Sequence, residues 1–241
     1  MPHRRLIRPT LVTTVPLVLS LLCGNAAAKW ASFDFSASDG GFAAAGTTDF
    51  GLPWAWSGGG WEVPGSDKAF AGTSTLASPV VTAGGSALTL SFTHRWDFEA
   101  LALGPVTSFL DGGNVRVRIN DGAEQIVGSD IGSFTSNGYN ATLASVTNPL
   151  QGEPAFGGTN GPLSSSATLS GLSAGDAVVF LWTAGWDGTG NAPAPNWTLS
   201  SVQIDGVQGG AAPLPATPLL LGLGLGGLVA VRCRRARNRT A

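Results

Sequence analysis

Nine consecutive residues alternate without a break. In LTLSFTHRW, residues 88–96, every even position carries an apolar, aromatic or imidazole side chain and every odd position a polar one. Successive side chains of an extended strand point to opposite faces, so a period of two predicts a strand with one face in a core. VRVRI, residues 115–119, places Arg116 and Arg118 together on one face. Asn120-Asp121-Gly122 then supplies turn residues, and 124–127 is expected to return as the partner strand of a hairpin. AVVFLW, residues 177–182, is apolar throughout, as in a strand covered on both faces, and 197–204 reads as the last strand. No stretch between 29 and 210 has a convincing helical period. With 35 Gly and 15 Pro to make turns, this pattern predicts an all-β domain, an antiparallel β-sandwich or jelly roll, over residues 29–210.

Charge divides the chain in three. Arg4, Arg5 and Arg8 lie at the start, and Arg232, Arg234, Arg235, Arg237 and Arg239 at the end. Between Lys29 and Gly210, five bases face all 15 acids, a net charge of −10. Such a body repels a phosphate backbone, which argues against nucleic acid as a partner. Cys23 and Cys233 both fall outside it, so the body has neither a disulfide nor thiol chemistry. It is held by its core, and it is long enough to bury a substantial one.

Residues 1–28 have the parts of a secretory signal. HRRLIR is basic, LVTTVPLVLSLL at 11–22 is apolar, and Ala26-Ala27-Ala28 is a small-residue cleavage site. The pattern predicts a signal helix removed by signal peptidase, with Ala26 and Ala28 as the small cleavage-site residues. An uncleaved anchor is the alternative, and Pro16 and the short apolar run count against it. At the other end, residues 213–231 are 19 positions without a charge. A helix of that length spans about 28 Å, enough for a bilayer core. The arginines that follow would stay in the cytoplasm, leaving the body outside.

The order Pro213-Leu214-Pro215-Ala216, apolar helix at about 217–231 and basic tail at 232–241 resembles the PEP-CTERM class of sorting signals, in its VPLPA-type variant. Ala212 stands where that variant usually has Val, and the Glu of Pro-Glu-Pro is absent. The resemblance covers 211–241 and implies a C-terminal transmembrane helix that holds the exported body at the inner membrane of a Gram-negative bacterium. An exosortase, a membrane transpeptidase, would read Pro213 to Ala216 and pass the protein to the cell surface or the exopolysaccharide matrix.

A second resemblance runs through the body. FDFSASDGGF (33–42), STLASPVV (74–81), LTLSFTHRWDFE (88–99), DGGNVRVRINDG (111–122) and NWTLSSVQIDGV (196–207) are similar, in that order, to the jelly-roll accessory modules of immune inhibitor A-type secreted metallopeptidases, which are MAM-like. In those enzymes the module is not the catalytic part, and the HExxH motif of the peptidase is absent here. Jelly rolls often tie their first and last strands with calcium, a hard cation that takes oxygen ligands and needs neither His nor Cys. The resemblance points to Asp34, Asp39, Glu99, Asp111 and Asp205 as its ligands. The plainer alternative makes Asp111-Gly112-Gly113 a tight turn before a strand, and Asp205-Gly206 the turn that ends the last one.

Catalytic chemistry has little to draw on. His94 is the one histidine of the body and sits on the buried parity of its strand, which suits a hydrogen-bonded core residue. A Ser-His-Asp triad would need it, and no Gly-x-Ser-x-Gly elbow is present. A glycoside hydrolase needs only two facing carboxylates. However, Asp49, Asp67, Asp121 and Asp187 read as solvated turn residues. Of eight tryptophans, Trp96, Trp182 and Trp197 belong to strands and a core. Trp54, Trp56 and Trp61 share a Gly- and Pro-rich loop, PWAWSGGGW, where they either stack on sugar rings or plug the end of a sandwich. The expectation is an exported surface or biofilm-matrix protein, processed by an exosortase, structural or adhesive and not an enzyme. The alternative is a carbohydrate-binding module, calcium-stabilised, with exopolysaccharide as its partner.

Overall fold

The computed structural model describes residues 29–45, 53–65, 71–189 and 195–208. The signal region with Ala26 and Ala28, the motif Pro213 to Ala216, the helix at about 217–231, the tail at 232–241, and Asp49 and Asp67 lie outside the described residues. All regular structure described is strand, and none of the described residues form a helix long and apolar enough to cross a membrane.

Two antiparallel sheets carry the fold. The first runs β12 (Ser133–Ser136), β15 (Thr159–Ser170), β7 (Ala87–Asp97), β17 (Trp197–Val207), β4 (Trp61–Val63), β3 (Ala55–Trp56), with β1 (Lys29–Asp34) beside β4 on the same edge of β17. The second runs β13 (Ala141–Thr142), β14 (Pro154–Gly157), β10 (Gly112–Ile119), β16 (Ala177–Asp187), β5 (Ala71–Ala77), β2 (Ala43–Ala45). Here β11 (Gln125–Ile126) pairs with β10 and β6 (Val81–Thr82) with β16. A separate hairpin, β8 (Ala100–Leu103) and β9 (Val106–Phe109), leaves the end of the first sheet. The long strands β1, β5, β7, β10, β15, β16 and β17 alternate between the sheets along the chain. Each sheet is therefore assembled from strands distant in sequence.

The alternation in β7 is realised as expected. Leu88, Leu90, Phe92, His94 and Trp96 are buried, and Thr89, Ser91 and Thr93 face outward. Phe92 meets Trp182 of the opposite sheet edge-on at 5.8 Å between ring centroids, which joins the two inner faces in one aromatic core. The hairpin after β10 also forms. Asn120 and Asp121 both take positive φ, 51° and 57°, and the Gly122 amide donates to Ile119 O at 2.9 Å.

In β16, alternate residues Val178, Phe180, Trp182, Ala184 and Trp186 enter the main core. Its other face is covered by the segment before β14: Asn148 donates to Gly185 O, and Leu143, Leu150 and Ala155 form a second small cluster. A Cβ on Gly185 would meet Asn148 Oδ1 and Leu150 Cγ, each at 2.8 Å, so this cover requires glycine there. The double coverage thus falls on the C-terminal half of β16, while Ala177 and Val179 at the start of the apolar run are half-buried.

The outer face of the first sheet is ordered in cross-strand rows. Trp30, Asp205, Thr89 and Thr168 lie side by side across β1, β17, β7 and β15. The next row is Ser32, Gln203, Ser91 and Ser166, and the third is Asp34, Ser201, Thr93 and Ser164. Side chains of directly paired residues share a face, so the rows form one continuous polar surface.

Candidate functional site

Three acids converge where the two sheets meet at one end. Beyond Asp97 the chain leaves as the β8–β9 hairpin, and its return is fixed because the amides of Leu110 and Asp111 both donate to Glu99 O, at 3.2 and 3.3 Å. Asp111 is thus brought back beside Glu99. It then enters β10, whose register pairs Gly112 with Gly185 of β16, so that Asp187 at the end of β16 lies next to Asp111. The Asp187 amide donates to Asp111 Oδ1 at 2.8 Å. One carboxylate oxygen from each of Glu99, Asp111 and Asp187 lies within 4.8 Å of the others.

The glycines after Asp111 are not turn residues. Both belong to β10, and a Cβ on Gly113 would collide with the ring of Trp197. Gly113 lets the core tryptophan pack against the strand that presents Asp111. This corrects the expectation of a tight turn. Gly206 is likewise inside β17, with φ of 88° and Ala87 O against it, rather than in a turn after it.

The acids are poorly solvated. Asp111 and Asp187 are each 5 % exposed. Glu99 is half-buried, but its Oε2 is sealed and has no hydrogen-bond partner. Burial pushes the Asp111 carboxyl up to about 8; the Asp187 amide opposes this, and the charges of Asp187 and Glu99 add to it. Burial, and then the charge of Asp187, also raise Glu99. Arg95, Arg116 and Arg118 face Glu62, Glu153 and Glu124 instead. Asp187 is oriented by the amide and hydroxyl of Thr189, which donate to its Oδ1 at 2.7 and 2.8 Å. A buried all-oxygen set of three carboxylates, one with an unpartnered atom, fits a hard divalent cation and offers nothing to a thiophilic metal. A cleft of about 550 Å³, lined in part by Asp97, Glu99, Asn140 and Thr159, adjoins the set.

Of the five positions expected to hold calcium, the structure brings together Glu99 and Asp111 alone. Asp34 accepts from the Ser36 amide at 3.0 Å and Asp39 from the Gly41 amide at 2.9 Å, both in exposed local turns. Asp205 accepts from Gln203 Nε2 on the outer face. The third member, Asp187, was expected to be a solvated turn residue and is instead buried. The signal for it lay in β16 itself: an acid that ends a doubly covered apolar strand is in a dry place.

The tryptophan loop divides. Trp54 and Trp61 are buried, 2 % and 7 % exposed, so neither has a face to offer a sugar. Their indole N–H groups donate to Ser74 O and Asp39 O, and Trp54 packs on Trp197 at 5.5 Å. These two plug the end of the sandwich, which corrects their place among the ligand-binding residues. Trp56 is 40 % exposed and donates to Phe35 O.

His94 is fully buried in a defined tautomer. The Trp197 indole N–H can only donate, so His94 Nδ1 accepts from it, at 3.0 Å. Nε2–H therefore donates to Ser165 Oγ at 2.8 Å, and Ser165 Oγ–H donates to Asn137 O. Burial holds the imidazole down to about 3. With both nitrogens engaged in the core, this histidine acts as a structural pin between β7, β15 and β17.

No protein-family model matches the chain, and no curated protein matches it in sequence.

Proposed function

We propose that this chain is an exported, non-enzymatic β-sandwich of jelly-roll topology with a structural or adhesive role at the bacterial surface or in the exopolysaccharide matrix. A calcium ion bound by Glu99, Asp111 and Asp187 clamps one end of the sandwich. The observation that carries the reading is the convergence of three poorly solvated carboxylates with no base opposite them among the described residues. Ionised together in so dry a place they repel one another, and a divalent cation removes both the repulsion and part of the desolvation cost. The strand orders β1-β17-β7-β15 and β5-β16-β10-β14, in which every successive pair of these strands except β10 and β14 lies in different sheets, support the jelly-roll topology and its likeness to secreted accessory modules.

The role follows from the place of the ion. Glu99 follows β7 of the first sheet, whereas Asp111 immediately precedes β10 and Asp187 ends β16, both of the second. An ion held by all three ties the sheets together without a disulfide. Export, the exosortase and signal peptidase as partners, and the transient membrane anchor rest on the two termini. Calcium is abundant outside cells, where modules with affinities of about 10⁻⁴–10⁻³ M are filled. The test is titration calorimetry of the full chain with calcium. Binding of one ion per chain, lost in Asp111→Asn and in Asp187→Asn, is the expected result, and no heat of binding would refute it.

A further inference from the structure

We infer that the outer face of the first sheet binds a neutral, hydroxyl-rich polysaccharide, with Trp30 as its stacking platform. Trp30 is 64 % exposed although it sits in a paired strand, opposite Asp205 of β17. A tryptophan left in water on a rigid strand is a flat apolar surface of low conformational entropy, suited to the C–H face of a sugar ring.

Beside it the sheet is lined with short side chains. Ser32, Ser91, Thr93, Ser164, Ser201 and Gln203 surround a depression of about 230 Å³, formed because serines leave the strands unshielded. Their hydrogen bonds are partly spent in a way that leaves capacity for a ligand. Ser91 and Ser166 share one bond at 3.0 Å, and Thr93 and Ser164 share one at 2.9 Å. Each hydroxyl pair has two protons and uses one between its members, so one donor and several lone pairs stay free per pair. Gln203 spends Nε2–H on both oxygens of Asp205, at 3.1 Å each, which leaves its Oε1 as a fixed acceptor. Donors and acceptors alternating on rigid strands are what a polymer of hydroxyl groups requires.

Charge selects among polymers. The three rows include the carboxylates Asp34 and Asp205 and no base, and the neighbouring Arg95 faces Glu62 at 4.0 Å. A polyanion meets two carboxylates along these rows, with Lys29 at their edge beside Trp30. A protein partner is disfavoured because, among the described residues, Trp30 is the only large apolar side chain in the three rows, whereas interface cores cluster several. Four strands about 4.8 Å apart give a strip about 14 Å wide, which suits an oligosaccharide stretch and not a single sugar. The inference gives the adhesive role proposed above a ligand and rests on that reading, but not on the calcium ion.

Affinity electrophoresis of the full chain tests it. Native gels would contain hydroxyethylcellulose, galactomannan, xylan or dextran, with alginate as the anionic control. All arms contain calcium, and the ion's own effect is read separately from melting temperature. At least one neutral polymer should retard the chain. Trp30→Ala and Ser164→Arg should each weaken the retardation about tenfold or more, with unchanged circular dichroism. Trp56→Ala, which removes the exposed tryptophan of the loop, should leave it unchanged. The inference is overturned by no retardation in any neutral polymer, by retardation in alginate alone, or by retardation that survives Trp30→Ala and Ser164→Arg.

Discussion

The backbone amide of Asp187 donates to the Asp111 carboxylate at 2.8 Å, so two buried acids from neighbouring strands are held together by the fold itself. The protein carries their repulsion as a cost, and that cost depends on pH.

The sign of the pH effect below pH 8 follows from Asp111 and His94. Asp111 is raised from 3.8 to about 8, so between these values the folded chain holds a proton that the unfolded chain has lost. Its contribution is fully present below pH 3.8 and is lost as pH rises through 8. His94 is lowered from 6.5 to about 3, so its contribution is fully present above pH 6.5 and is lost as pH falls through 3. Between pH 3.8 and 6.5 the two slopes oppose, each at most about 1.4 kcal/mol per unit. Above pH 6.5 only the Asp111 loss remains. Urea unfolding in chelator should therefore show stability falling from pH 6.5 to 8, and Asp111→Asn should flatten that fall.

His94→Leu removes the acid-side slope but strands its partners. The Trp197 indole would lose its acceptor, and Ser165 Oγ its donor, in a dry core. The expected loss is about 2–4 kcal/mol at pH 7, together with a flatter dependence below pH 6.5. Denaturant melts at pH 7 and pH 5 measure both.

Trp54 and Trp56 are two residues apart and should behave differently. Trp54→Ala empties a core position packed on Trp197 and should cost about 3–5 kcal/mol. Trp56→Ala should cost markedly less, because its ring is 40 % exposed and it gives up chiefly one hydrogen bond to Phe35 O. Urea midpoints of the two variants give the comparison.

Much of this architecture was legible in the chain. The alternation at 88–96 identified the buried face of β7, His94 included, and the apolar run at 177–182 identified a strand, β16, whose second face is covered only toward its C-terminal end. Both are direct consequences of side-chain geometry. The site was legible only in part, because Glu99, Asp111 and Asp187 come from segments whose meeting depends on the β8–β9 hairpin and the β10–β16 register. Neither leaves a trace in local pattern. The loop PWAWSGGGW misled for the same reason: glycine and proline marked a loop correctly, but they do not say whether its aromatic side chains turn outward or into the end of a sandwich. The outer-face rows were equally hidden, since no single strand carries more than one member of a row.

Sorting gives a covalent prediction. Mass spectrometry of the C-terminal peptide from surface and medium fractions should find a mature end near Pro213 to Ala216. An intact 232–241 tail in every fraction would make the segment a permanent anchor.

Calcium tests the central claim most directly. Melting temperature at pH 8 should be recorded with excess calcium and with chelator, for the wild-type chain and for Asp187→Asn. At a concentration 100-fold above the dissociation constant, one bound ion stabilises the fold by about 2.7 kcal/mol, a rise of about 5–10 °C for a domain of this size. That rise is expected in the wild type and should be absent in Asp187→Asn. Equal melting temperatures with and without calcium, or the same rise in the variant, would contradict the calcium clamp.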